Sequence, residues 1–404
     1  MRAKYIVTNY LIILYYLVLW SCNSSQPGIG GKHNPINDNY SVPGDYLNNR
    51  AAYDFNNSKD NHDQPAQDSL INYFVYVTGY PEDQYPVWDC RIGVVRNNQY
   101  WKTIYQDSPC YLRGIWGTST YDVTAVGESL FGGMFENGIG LTVHYNGEDS
   151  ISYIKRNYTL VEFQDLWGTA SNDIWAVGER SLQIIYPTTV YYIAHYDGRA
   201  WRESIVGSDS QSSLSGVWAA APDNVYAVGG AAQGGAMIMH YDGVMWEESD
   251  YKDYNLYSVW GADENNIFIV GADNANITKP IIMYYNGSIW STEVLNVPYG
   301  QLDNVSGVSS DDVYAIGGYS PSSIIMYHYD GNEWNNMNIH LVGKAYTRIW
   351  AYSISNIYFT DGCNLYHYDG NSIEQIEIPV LRPEENFCVK DMWGIEVTVG
   401  AEAQ

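Results

Sequence analysis

Residues 214–248, LSGVWAAAPDNVYAVGGAAQGGAMIMHYDGVMWEE, decide the fold, because near-copies of this unit recur from about residue 112 to the C-terminus. Counted on an anchor tryptophan, the copies start at Trp116, Trp167, Trp218, Trp260, Ser306 (in place of Trp), Trp350 and Trp393, spaced by 51, 51, 42, 46, 44 and 43 residues. Six residues after each of the first six anchors stands an Asx residue: Asp122, Asp173, Asn224, Asn266, Asp312 and Asn356. Five copies place Gly eleven residues after the anchor (Gly127, Gly178, Gly229, Gly271, Gly317), and the sixth slips by one to Gly362. A second signature follows, HYNG or HYDG at His144, His195, His240, His328 and His367 and YYNG at Tyr284. Four copies add a Trp three residues after that Gly, at Trp201, Trp246, Trp290 and Trp334.

A period of 40 to 50 residues signals a propeller or a solenoid. LSGVW, NVYAVG, AMIMHYDG and MWEES are four short runs rich in β-branched and aromatic residues, each bounded by turn residues, with no helical period. The Asx-Gly pair between the third and fourth runs tolerates the positive φ angles of a two-residue hairpin turn. Four antiparallel strands repeated about seven times predict an all-β, seven-bladed propeller whose blades bury their faces against each other.

The chain ends predict how the ring closes. FVYVTGY at Phe74 and IGVVRNNQYWKTI at Ile92 resemble the second, third and fourth strands of a unit but lack an anchor strand, while VKDMWG at Val389 supplies an anchor strand and little more. One strand from the C-terminus and three from the N-terminus therefore complete the seventh blade. The alternative takes residues 396–400 as a second C-terminal strand, although WGIEVTVG is four residues short between Trp and Gly.

The four cysteines beyond Cys22 permit three disulfide connectivities. Cys90 and Cys363 fall between second and third strands, and Cys110 and Cys388 fall just before an anchor Trp. This equivalence predicts Cys90–Cys110 and Cys363–Cys388, with metal binding by the same four cysteines as the rival reading.

Ahead of the repeats, Arg2 and Lys4 precede an apolar run over 5–20, short for a membrane-spanning helix and followed by Leu19-Trp20-Ser21-Cys22. The segment resembles a bacterial lipoprotein signal. That resemblance implies a signal peptide over 1–21, lipidation of Cys22, and export to the cell envelope with a lipid anchor in the outer membrane, periplasmic or surface-exposed. Trp20 stands where the family pattern prefers a small residue; a cleaved secretory signal with no role for Cys22 is the alternative. Residues 22–69 are Asn, Asp, Ser, Gly and Pro with few apolar clusters, the composition of a flexible tether with a reach of about 35 to 40 Å. The propeller then spans 70–404.

Function is expected where length varies. The turn after the anchor strand and the Asx-Gly turn are constant, whereas segments 128–140, 179–190, 230–236, 272–279 and 318–323, and the interblade segments 148–162, 204–213 and 295–304, vary and emerge on one face. Variable loops on a rigid scaffold commonly carry binding. Phe131, Phe135, Tyr186, Tyr299 and Tyr319 are aromatic candidates there for stacking on sugars or on side chains of a protein partner.

No Ser-His-Asp arrangement or phosphate loop stands out from the repeat, and five of the eight His residues share one repeat position, which marks them as packing elements. Asp263, Glu264, Asn265, Asp273, Asn274 and Asn276 offer oxygen ligands for calcium but match no standard loop, so no metal or cofactor is assigned. Glu128, Glu136 and Glu179 are the carboxylates an enzyme would use. The formal charge of −26, or −28 once Arg2 and Lys4 leave with the signal, argues against nucleic acid and anionic lipid as partners.

The repeat resembles those of bacterial envelope lipoproteins with WGxSxxDVYAVG and HYDGxxW units, and is similar in strand order to photosystem-assembly-factor-like and Asp-box propellers. It departs from the Asp box in having Asp197 and Gly198 adjacent, so the resemblance implies architecture and not a sialidase-like activity. The expectation is a monomeric, non-catalytic lipoprotein that binds a protein or glycan and touches the membrane through its anchor only. A glycoside-processing enzyme on the same scaffold is the alternative.

Overall fold

A computed structural model describes residues 71–398 except positions 82–89, 99, 108–109, 130–138, 148–159, 182–188, 207–211, 231–234, 276–277, 320–322, 340, 342–346 and 379–386. The signal peptide, Cys22 and the tether lie outside the described residues. The repeat region forms a unit of its own, from Asp68 to Gln404.

Seven antiparallel blades make a closed ring, six of them four-stranded and the remaining one with three strands among the described residues. The anchor strands Cys110–Ser119, Leu160–Ala170, Ser213–Ala221, Tyr254–Asp263, Gln301–Ser309, Ile349–Ser353 and Phe387–Thr398 each pack on the anchor strands of the two neighbouring blades. They are therefore the innermost strands, and the Asx-Gly hairpins lie outermost.

Closure follows the one-plus-three division. Phe387–Thr398 pairs antiparallel with Ile71–Pro81, which pairs with Cys90–Arg96 and then Tyr100–Asp107. Glu396 and Val397 do not start a second strand. They extend the anchor strand, opposite Tyr73 and Asn72. Both predicted disulfides form, Cys90–Cys110 and Cys363–Cys388. Each ties the composite blade to one of its neighbours, so the blade that holds both chain ends is stapled on both sides.

The repeated residues make one set of contacts per blade. His195 hydrogen-bonds Asp173 at 2.6 Å, His240 bonds Asn224 at 3.0 Å, His328 bonds Asp312 at 2.7 Å, and Tyr284 donates to Asn266 at 2.6 Å. The His ring also lies flat on the aromatic residue opposite it, as in Trp175–His195, Tyr226–His240 and Tyr314–His328. That aromatic meets the hairpin Trp of the next blade edge-on, in Trp175–Trp246, Tyr226–Trp290 and Phe268–Trp334. The histidines are thus packing and hydrogen-bonding elements, as the repeat implied.

The hairpin turn encloses two residues, Gly243 and Val244, between Asp242 and Met245, but closes with one backbone bond, from the Asp242 N–H to the Met245 carbonyl. Four residues separate the paired Tyr241 and Trp246, only Gly243 takes positive φ (87°), and the Asp242 carboxylate accepts the backbone N–H groups of Val244 and Met245. Asx residues were selected here as side-chain acceptors for the turn rather than for left-handed backbone. The composite blade is the exception, with Asn97 and Asn98 both at positive φ.

The Gly eleven residues after the anchor is required by close approach. A Cβ on Gly271 would lie 1.9 Å from the carbonyl oxygen of Asn255, where the anchor strand bulges. Next to the anchors, the Trp of one blade covers the Gly after the anchor of the next: a Cβ on Gly261 would lie 2.6 Å from the Trp218 ring. Gly261→Ala is expected to cost about 1–3 kcal/mol by overpacking, read from urea melts. Replacing Cys363 and Cys388 by Ser, which opens a 25-residue loop, should cost about 2–4 kcal/mol by the same measurement.

Candidate functional site at the inner rim

Every fully described long anchor strand skips one residue in its pairing with the second strand, between Leu112 and Gly114 in the first blade and between Phe163 and Asp165 in the second. A bulge re-aims a side chain. The bulged residues are Arg113, Gln164, Ser215, Tyr257, Asp303 and Lys390, all polar, on the innermost strands of the ring.

In the first two blades this device gathers charge. Arg113 bonds Glu128 at 2.5 Å, lies 3.6 Å from Glu162, and sits over the Tyr111 ring. Glu162 is paired directly opposite Glu179. The cluster stands at the ends of strands from which the variable segments leave. Glu128 is buried (4% exposed). Burial raises its pKa to about 7, outweighing Arg113, with Glu162 and Glu179 pushing the same way. Burial and then Glu162 also raise Glu179.

A second group lies two residues before the anchors. Asp165 accepts the N–H of Val217 in the next blade, and Asp391 accepts that of Ile115 in its next blade, both at 2.9 Å. Asn304 and Ser258 cap the following blades in the same way, through Ile349 and Val305. Gly114 lies between the two aspartates and has no side chain to separate them. Burial pushes both carboxyls up, reinforced at Asp165 by Asp391, while Arg348 at 3.9 Å holds Asp391 back.

Of the sequence candidates, Glu128 and Glu179 come together, and Glu136 lies outside the described residues. Phe131, Phe135 and Tyr186 also lie outside them, and Tyr319 ends the strand Asp312–Tyr319 with its side chain undescribed. Tyr299 is 41% exposed in the segment between the fourth and fifth blades, away from the cluster. Asp263 caps its own turn, accepting from the N–H of Asn265 and the amide of Asn266, and Asp273 accepts from Ala275 N–H. Among the described residues no group of three or more His, Cys, Asp or Glu is placed to hold a metal ion. Arg113 and Glu162 were missed in the sequence. Their positions vary from blade to blade, Arg113 matching Gln164, Ser215, Tyr257, Asp303 and Lys390, and Glu162 matching Tyr111, Ser213, Asn255 and Gln301, so no repeated residue marked them.

No family model and no curated protein matches the chain. Among solved structures, it is similar to a putative 6-phosphogluconolactonase from Bacteroides uniformis, at 9% identity and TM-score 0.52, covering 80% of this chain and 99% of that one. It is also similar to a puromycin-hydrolyzing peptidase from Mycobacterium tuberculosis, at 11% identity and TM-score 0.51 over 75% of this chain; the chain spans about half (54%) of the peptidase. A third similarity, to the SapL1 lectin in complex with alpha methyl fucoside, has 14% identity and TM-score 0.45, covering 67% and 97%. The first two likenesses extend to the fold alone, whose seven blades are given by the strand pairing.

A carboxyl whose pKa is raised on folding binds more protons in the native than in the unfolded state, so stability falls as pH rises through the interval between the two values. For Glu128 that interval runs from the ordinary glutamate value of 4.5 to about 7, and the raised Asp165 and Asp391 act in the same direction. The urea midpoint should therefore be lower at pH 8 than at pH 5. Glu128→Gln, which keeps an acceptor for Arg113, should reduce that difference; an unchanged difference would show that Glu128 titrates normally.

Proposed function

We propose that this chain is a non-catalytic, envelope-tethered propeller that binds a protein or glycan partner on the variable-loop face, beside the inner rim of the first two blades. One observation carries the reading: the Arg113, Glu128, Glu162 and Glu179 cluster breaks the repeat on the side from which the variable segments leave. Residues that recur in every blade serve the scaffold. A set that occurs once, with a partly buried arginine held between carboxylates, supplies both donors and acceptors to a polar partner. Tyr299, 41% exposed in the segment between the fourth and fifth blades, offers a further aromatic contact.

A glycoside-processing reading has support from the same cluster, because a carboxyl with a pKa of about 7 beside a second carboxylate is the pairing that acid-assisted glycosidic cleavage uses. The peptidase and lactonase likenesses extend to the scaffold alone.

The test is a glycan array and envelope cross-linking with the full chain, with and without calcium, followed by incubation of any captured glycan. Capture without product is expected, weakened about ten-fold in Glu162→Ala as a partner loses a charged contact. Product formation that disappears in Glu128→Gln would replace binding by catalysis.

A further inference from the structure

On the turn side of the anchor strands, away from the charged rim, a cavity of about 560 Å³ opens between the second, third and fourth blades. Trp167, Trp218, Ala219, Gly261, Asp263 and Glu264 are among its walls. It is a broad depression open to solvent.

The cavity lies where one blade departs from the Trp-over-Gly pairing. Trp116 covers Gly168, Trp218 covers Gly261, Trp260 covers Gly307 and Trp350 covers Gly394, each so closely that a Cβ would lie 2.6 or 2.7 Å from the ring. Ser306, which has no ring, is followed by Ala351. Trp167 alone among the described tryptophans of this series meets an alanine, Ala219, at the position where the others meet a glycine, and both residues line the cavity. Trp116, Trp218 and Trp260 are buried at 8%, 3% and 8% exposure, whereas Trp167, like Trp350 and Trp393, is half-buried, and it stands at the cavity wall.

The polar side of the cavity is acidic. Asp263 is occupied by its own turn, but no hydrogen bond or ion pair engages the exposed Glu264 carboxylate among the described residues, and no cationic side chain lines the cavity. An indole face beside an unengaged carboxylate attracts an organic cation, through the ring quadrupole and the charge together. The whole molecule, at −26, favours the same sign of ligand.

We infer that this cavity is a binding site for an organic ammonium ion carrying alkyl groups on nitrogen, seated on Trp167 and neutralised by Glu264. The site is independent of the variable-loop face.

Titration calorimetry of the full chain with choline, and with its uncharged isostere 3,3-dimethyl-1-butanol, tests the assignment. Choline should bind and the neutral isostere should not. Glu264→Gln, a surface change that leaves the fold intact, should weaken choline binding about five-fold. Ala219→Gly should weaken it as well, because Trp167 can then settle as the other anchors do and fill the cavity. A parallel arm with phosphocholine vesicles assigns the source: flotation with vesicles points to a lipid headgroup, and binding of choline alone to a soluble ammonium. Equal binding of the isostere, no choline binding up to about 10 mM, or binding unchanged in both variants would overturn the assignment.

Discussion

Each blade is a small sheet with two apolar faces, and no blade can cover both by itself. Burial is complete only when the ring closes, so the pairing of Phe387–Thr398 with Ile71–Pro81 is the contact on which the other blades depend. The aromatic chain from blade to blade shows why. The second-strand aromatic of one blade waits for the hairpin Trp of the next, and every anchor Trp except Trp167 waits for a Gly beyond it. A gap anywhere leaves an indole exposed on one side and an uncovered glycine strand on the other. Hydrogen bonds add to this at the closing joint, where Tyr358 and His367 of the sixth blade both bond Asn98 of the composite blade. The two disulfides flank that same blade, where separation would cost the most buried surface.

A scaffold built this way separates its structural from its adaptable residues. Asx, His, Trp and Gly at fixed spacing are consumed by turns, cross-strand bonds and interblade packing, and their repetition removes them from consideration as single catalytic groups. The bulge in the anchor strand is also repeated, yet it presents whichever side chain stands at that position to the inside of the ring. At Arg113 the bulge gathers a charged assembly with Glu128, Glu162 and Glu179. The Asp165 and Asp391 carboxylates inside the ring have a structural task, since each caps a backbone N–H of the following blade.

Much of this architecture was legible in the sequence, because the period, the Asx-Gly pairs and the incomplete ends at Phe74 and Trp393 are local patterns. The cysteine pairs followed from their equivalent places in the repeat. The turn geometry was less legible: an Asx-Gly pair suits both a turn that places the Asx in left-handed backbone and the side-chain-capped turn found at Asp242. The rim cluster was half visible. Glu128 and Glu179 were identifiable as carboxylates outside the repeat, but Glu162 and Arg113 join them only through strand pairing and a bulge, which no spacing within one unit displays. The consequence of Ala219 was hidden for a similar reason, since it depends on the Trp one blade earlier meeting a methyl group in three dimensions.

The central claim is that the C-terminal strand closes the ring. It is tested most directly by comparing unfolding of a chain ended after residue 386 with that of the full-length chain carrying Cys363→Ser and Cys388→Ser, so that loss of the disulfide is common to both. The account predicts that the shortened chain loses its single cooperative transition and regains it when a peptide of residues 387–398 is added. A shortened chain that unfolds with the same midpoint and cooperativity as the serine variant would contradict it.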